Sequence, residues 1–213
     1  MRKSVFLLVF GIAVLLGLFL LTPRPAQRML TDLPWQISTF GDGTSKALGI
    51  HLGRDTLKDV IARYGDPEGL ALFASRQAQR SLEAYFGTIH LGPLEGKLVV
   101  RLDASATDLA ALEGRAIGSE GTAEGERRLL LSDADKRAQA DRTVAGLSYI
   151  PNWSKMTPEF LTGRLGPATR IERISSSAER WLYPGKGLSV LVDSQGKEVF
   201  EYSAPGKQTP TAQ

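Results

Sequence analysis

The sequence predicts an α+β protein: an N-terminal transmembrane helix followed by two tandem helix-plus-antiparallel-meander modules. Three observations carry that expectation. A threonine opens a short amphipathic segment that closes nine residues later on a glycine, at Thr56 to Gly65 and again at Thr157 to Gly166. Each segment is followed by strand-like runs separated by turn residues, in the same order. The first 28 residues hold a long apolar run flanked by basic residues and contain no acid.

Arg2 and Lys3 precede an uninterrupted apolar run from Val5 to Leu21. At 1.5 Å per residue its roughly 17 residues span about 26 Å, enough for a bilayer core. Leu20-Leu21-Thr22-Pro23-Arg24 offers no small-x-small cleavage site, so the run reads as an uncleaved signal anchor, with a cleaved signal peptide as the alternative. Arg2, Lys3 and the terminal amine stand against Arg24 and Arg28, and the balance favours a cytoplasmic N-terminus. The expected location is a bacterial inner membrane, single-pass through residues 5–21, with the body in the periplasm. The chain has no cysteine, which fits an exported domain and removes lipidation on an N-terminal cysteine, thiol catalysis, zinc fingers and iron–sulfur ligation. Four of the 26 Lys and Arg lie in residues 1–28, leaving 22 bases against 23 acids in the body, a net of about −1. No basic stripe interleaved with aromatics occurs, so nucleic acid is not an expected partner.

The expected domains are 1–28, anchor and flank; 29–103, a first α+β module with a leading hairpin; 104–146, a linker region with two helices; 147–202, a second α+β module; and 203–213, a disordered tail. In the leading hairpin, Gln36 to Phe40 and Ala47 to Leu52 flank the turn residues Asp42-Gly43-Thr44-Ser45. In the first helix Leu57, Val60, Ile61 and Tyr64 share one face. Thr56 caps it, Asp59 stands at the capping-box position, and Gly65 supplies a left-handed stop before Pro67. Ala71–Phe73, Leu82–Leu91 and Lys97–Leu102 then form a meander.

In the linker, Ser105-Ala106-Thr107 caps a helix from Asp108 to about Ala116, and Gly118 to Gly125 is a polar loop. Leu129–Leu131 reads as a strand, and an alanine-rich helix runs from Ser132 to about Val144. After Leu147–Ile150, Thr157 caps the second helix, Pro158 takes its first position, Phe160, Leu161 and Leu165 form its stripe, and Gly166-Pro167 stops it. Arg170–Ile174, Arg180–Tyr183, Leu188–Val192 and Glu198–Tyr202 are strands, and the tail from Ser203 is rich in Pro, Gly, Thr and Gln.

Aligned without gaps, the two helices share Thr56/Thr157, Arg63/Arg164 and Gly65/Gly166. Gly53-Arg54-Asp55-Thr56-Leu57 through Gly65-Asp66-Pro67, with Tyr149-Ile150-Pro151 and Trp181-Leu182-Tyr183-Pro184 in the second half, resembles the BamE/SmpA-like module of bacterial envelope proteins. The resemblance covers about residues 49–103 and 147–202 and implies a small helix on a three-stranded meander. The chain departs from the family in lacking the lipidated cysteine and in carrying two copies.

No catalytic motif stands out. His51 and His90 lie in strands without a second ligand at a metal spacing. Asp133, Asp135 and Asp141 lack the glycine and the closing glutamate of a calcium loop. Gly185-Lys186-Gly187-Leu188-Ser189 sits between strands, where a turn is expected rather than a phosphate loop, and there is no Gly-x-Ser-x-Gly elbow. Asn152-Trp153-Ser154 is formally a glycosylation sequon. Trp153, Trp181, Tyr183 and Tyr202 pack the sheet onto the helices in one reading and form a binding patch in another. Trp181 and Tyr183 are the candidate interaction surface because residues two apart in a strand share a face. No catalytic, cofactor or metal residues are assigned. The expected function is a non-enzymatic, membrane-anchored scaffold for protein interaction or assembly with an unknown envelope protein, working through sheet edges or faces. The alternatives are an inhibitor or sensor domain binding one partner enzyme, and a hydrolase whose site is assembled from distant residues.

Overall fold

The computed structural model describes residues 31–75, 79–122, 125–152 and 156–205. β1 (Ser38–Thr39), β2 (Ser45–Ala47) and β3 (Ile50–Leu52) form a small antiparallel sheet. They are followed by α1 (Leu57–Tyr64), β4 (Gly69–Ala74), β5 (Arg80–Leu91), β6 (Leu94–Leu102), α2 (Ala106–Gly114), β7 (Gly118–Gly121), β8 (Arg127–Leu130) and α3 (Asp133–Arg137). The chain continues through β9 (Val144–Pro151), α4 (Pro158–Leu165), β10 (Arg170–Arg173), β11 (Ala178–Tyr183), β12 (Leu188–Asp193) and β13 (Val199–Ser203). β4 to β13 make one antiparallel ten-stranded sheet in the order β10-β11-β12-β13-β9-β6-β5-β4-β8-β7.

This overturns the expected fold class. The described residues are mostly β, with four short helices, and the strands of both halves belong to one sheet rather than to two helix-plus-meander modules. The join is β6 against β9, from Gly96↔Pro151 to Leu102↔Val144. A BamE-like tandem repeat is therefore not the architecture observed. The expected anchor, Val5 to Leu21, lies outside the described residues. Among the described residues no helix is long and apolar enough to cross a membrane, so the single-pass inner-membrane placement with a periplasmic body finds no support and is withdrawn. Trp153 and residues 206–213 of the tail also lie outside the described residues.

The helix ends follow from local chemistry. Thr56 and Asp59 close a full capping box on α1: Thr56 Oγ1 accepts the Asp59 N–H, and Asp59 Oδ2 accepts the Thr56 N–H at 2.8 Å. Ser105 and Asp108 do the same on α2, and Thr157 Oγ1 accepts the Phe160 N–H on α4. Gly65 and Gly166 end α1 and α4 in near-identical conformations, φ 85°, ψ −176° and φ 81°, ψ −178°. The sequence predicted a left-handed stop. Positive φ is present, but ψ is extended, which places both residues in a region open essentially to glycine alone. Arg63 and Arg164 also have equivalent roles, with guanidinium carbons 5.6 Å from the Tyr64 ring centre and 5.3 Å from that of Trp35.

Two expected elements break for identifiable reasons. The return strand Ala47 to Leu52 splits into β2 and β3 because Leu48 (φ 51°) and Gly49 (φ 74°) form a tight reversal between the paired Ala47 and Ile50. Leu48 is fully buried and its carbonyl accepts the Tyr64 hydroxyl at 2.6 Å, which holds a non-glycine residue at positive φ. The alanine-rich helix stops at Arg137 instead of running to Val144. Its continuation turns so that Ala140 and Arg142 offer their carbonyls to the N–H groups of Lys58 and Leu57, the orphan donors of α1's first turn. The polar loop Gly118 to Gly125 contributes β7 and closes a hairpin with β8.

The core lies on one face of the large sheet, built from apolar rows that cross it. Leu70, Ala84, Val100, Leu147, Tyr202, Leu188 and Tyr183 are successive cross-strand neighbours over seven strands. Leu98, Tyr149, Phe200, Val190 and Trp181 form a second row, and Leu129, Leu72, Leu82, Leu102 and Val144 a third. All are buried in one cluster with Leu57 and Val60 of α1, Leu109 and Leu112 of α2, Leu161 and Leu165 of α4, and Leu48, Ile50 and Leu52 of the small sheet. Tyr202 donates its hydroxyl to the Pro34 carbonyl at 2.8 Å, and Trp35 meets Phe160 edge-on at 5.3 Å, which straps the N-terminal segment under α4.

Candidate functional site

Because side chains alternate along each strand, the residues between those core rows face the other side of the sheet. One row there runs Gly69, Tyr85, Val99, Ser148, Glu201, Ser189, Leu182 and Arg170 across eight strands. A parallel row runs Leu130, Ala71, Glu83, Arg101, Gly146 and Ser203, and another Val199, Leu191, Arg180 and Glu172. Tyr85, Val99, Ile150, Leu182, Leu191 and Val199 are half-buried by their neighbours in the sheet, and none belongs to the core cluster or packs against it. The helices and the small sheet bury their residues in that cluster on the opposite face, so this face is uncovered among the described residues. Eight strands about 4.8 Å apart and three steps of about 7 Å along the strands give a surface of roughly 34 by 20 Å.

Charges set into this face are shaped by the sheet. Burial raises the Glu83 carboxyl above the ordinary range, and the Ser81 hydroxyl, donating to Oε1 at 2.7 Å, and the Arg101 guanidinium across the strand pair act against that rise. Arg180 lies between Leu191 and Glu172, with its Nε shielded from solvent and without a hydrogen-bond partner. Such a donor costs about 1–3 kcal/mol until an acceptor reaches it.

Trp181 and Tyr183 do share a face, as their spacing predicts, but it is the helix-covered one. They are 7% and 3% exposed, and the Tyr183 hydroxyl donates to the Gly166 carbonyl at 3.3 Å. They are core residues rather than an exposed patch. Their intervening neighbour Leu182 is the one on the open face, and the alternation of the strand signalled it without saying which face is covered.

A hydroxyl meets an imidazole at the small sheet. Thr44 Oγ1 lies 2.7 Å from His51 Nε2 and 2.6 Å from Asp42 Oδ1, and Phe40 stacks on the imidazole at 4.5 Å. A carboxylate only accepts, so the Thr44 proton goes to Asp42 and Nε2–H donates to Thr44. That polarity is the reverse of what a general base needs to activate a hydroxyl nucleophile. Asp42 is held down at about 2 chiefly by the Thr44 hydroxyl and N–H, with Arg54 adding to the effect. The group caps a turn. His90 pairs with Glu95 at 3.0 Å on an exposed hairpin end. Among the described residues no set of three or more His, Cys, Asp or Glu is arranged to hold a metal ion.

No family model, curated protein or solved structure matches this chain. The short motifs that resemble the BamE/SmpA-like module thus stand without support from relatives, and the function must be argued from the uncovered face itself.

Proposed function

We propose that the chain is a protein-interaction scaffold whose working surface is the uncovered face of the ten-stranded sheet. The observation that carries this reading is the row Tyr85, Val99, Ser148, Glu201, Ser189, Leu182, which presents apolar and charged groups over six adjacent strands, with none of the described helices packed on it. Its extent is of the same order as the roughly 800 Å² each partner contributes to a stable protein–protein interface. A broad sheet face suits a folded protein better than a small molecule, which favours a concave site. The half-buried aliphatics supply the centre, Glu83, Arg101, Glu201 and Glu172 fix orientation, and a carboxylate on the partner beside Arg180 would satisfy its orphan donor.

The test replaces Val99, Leu182 or Leu191 by a photo-crosslinking residue in the full-length chain in its host. The expected result is one protein adduct shared by all three positions and absent from Lys58 and Thr107, which are exposed on the helix side. Purified partner should then lose binding to Leu191→Arg while the circular dichroism spectrum is retained. Absence of a common adduct from the three positions would refute the reading.

A further inference from the structure

We infer that β10 is a homodimer edge, pairing with β10 of a second copy in a register centred on Ile171. β10 ends the ten-stranded sheet, so among the described residues one side of its backbone has no strand beside it. Its apolar residues are not withdrawn from that edge: Ile171 is 51% exposed and Ile174, just beyond it, 52%. The opposite edge, β7, is Gly-Ser-Glu-Gly and carries no apolar side chain within the strand; Ile117, 70% exposed, precedes it.

The register follows from the backbone and the charges. Ile174 donates its N–H to the Ala178 carbonyl, so by alternation Arg170 and Glu172 turn their backbone groups toward β11, and Ile171 and Arg173 turn theirs outward; the alternation ends at Thr169, whose N–H donates to the Leu182 carbonyl, which leaves Ile171 and Arg173 as the outward donors of the edge. An antiparallel pair of identical strands about a twofold axis normal to the sheet must match outward residues with outward residues. It is therefore centred on a residue, and that residue faces its own copy. Centring on Arg170, Glu172 or Arg173 puts like charges face to face. Centring on Ile171 puts Ile171 against Ile171, Arg170 against Glu172 twice, Arg173 against Thr169 and Ile174 against Ala168.

The intrachain pair between Arg170 and Glu172 becomes a four-charge alternation across the axis. The core row Leu98, Tyr149, Phe200, Val190, Trp181 ends at Ile171 and would continue through it into the second copy. Two copies so joined close on themselves, whereas β10 on β7 would propagate as a filament. The inference does not rest on the docking-face reading: Arg170 and Glu172 also border that face, but self-association is read on the purified chain with no other protein present.

The chain contains no cysteine, so single cysteines report the register cleanly. In the full-length chain, kept in mild detergent because of the apolar run Val5 to Leu21, oxidised Ile171→Cys should form a disulfide dimer, and Glu172→Cys should form it about tenfold less. By analytical ultracentrifugation, Glu172→Arg and Arg170→Glu should each weaken the dimer by about tenfold or more, and an equimolar mixture of the two should restore it as a heterodimer. The substitutions are on exposed side chains, and unchanged circular dichroism confirms the fold. A wild-type chain that stays monomeric to about 100 µM overturns the proposal. So does a dimer that both charge variants leave intact, or equal cross-linking at 171 and 172.

Discussion

Replacing the two helix-stop glycines tests the local geometry most directly. At Gly65 and Gly166 a Cβ would meet nothing within 4 Å, so any penalty is conformational and not steric. With φ 85°, ψ −176° and φ 81°, ψ −178°, a side-chain-bearing residue costs about 1–3 kcal/mol in this region. Alanine recovers about 0.4–1 kcal/mol by stiffening the unfolded chain. The net expectation is a loss of about 1–2 kcal/mol for Gly65→Ala and for Gly166→Ala, a fall of roughly 2–8 °C in Tm for a domain of this size. The sites are on different helices, so the double variant should lose about the sum. Urea titration followed by far-ultraviolet circular dichroism reads these values, and asparagine decides the geometry. At an ordinary left-handed stop asparagine is nearly as good as glycine, because ψ there is near +45°. At ψ near 180° asparagine should cost as much as alanine. Asparagine within about 0.3 kcal/mol of wild type, with alanine destabilising, would refute the observed conformation and restore the left-handed stop.

Gly163, three residues before Gly166 and inside α4, is exposed with nothing within 4 Å of an added Cβ, so Gly163→Ala should stabilise by about 0.5–1 kcal/mol in the same titration. Glu83 has its pKa raised by burial, so the folded state holds the proton longer than the unfolded chain and ionisation opposes folding as pH rises above the ordinary 4.5. Glu83→Gln should therefore be more stable than wild type at pH 7–8, with the advantage vanishing below about pH 4, near the unfolded-chain value. Asp108 is held at about 2, first by the Ser105 hydroxyl and then by Arg142, so its contribution is present above the unfolded value of 3.8 and is lost as pH falls toward 2. Asp108→Asn should flatten that part of the stability–pH curve. His51→Gln and His90→Gln should leave function intact in a cellular complementation assay, and loss of function with the fold retained would favour the enzyme alternative.

The parts of the fold legible in the sequence are those decided within about ten residues. Thr56 with Asp59, Ser105 with Asp108, and the two stop glycines act on their own helix, and their residue types announce it. Most strands were legible for the same reason. Leu48 was not, because a buried leucine at positive φ depends on Tyr64, sixteen residues away, holding its carbonyl. Ala140 and Arg142 were not, because what ends their helix is the demand of α1 for acceptors. The candidate site follows the same division. The period of two put Trp181 and Tyr183 on one face correctly, but which face the helices cover is set by packing from the whole chain, and that inverted the reading of the patch.

The union of the two halves into one sheet has a physical cause at β6 and β9. Leu98, Val100 and Leu102 on β6 are buried, as are Val144, Leu147 and Tyr149 on β9, and they are cross-strand partners or near neighbours in the same rows. If the halves separated, six buried side chains would lie along two newly exposed edges, together with a ladder of unpaired backbone groups from Gly96 to Leu102. At about 1.5–3 kcal/mol for each large apolar side chain exposed, full exposure of the six would cost roughly 9–18 kcal/mol, as much as the whole stability of a small domain. The recurrence of Thr, Arg and Gly in the two helices is thus a repeat of local devices, while the unit that folds is the joined sheet. The same joining makes the uncovered face continuous over eight strands, where the first half alone would offer three of them and the second five. A face of that breadth is a property of the pairing between Val100 and Leu147 and its neighbours, not of any motif that a single segment carries.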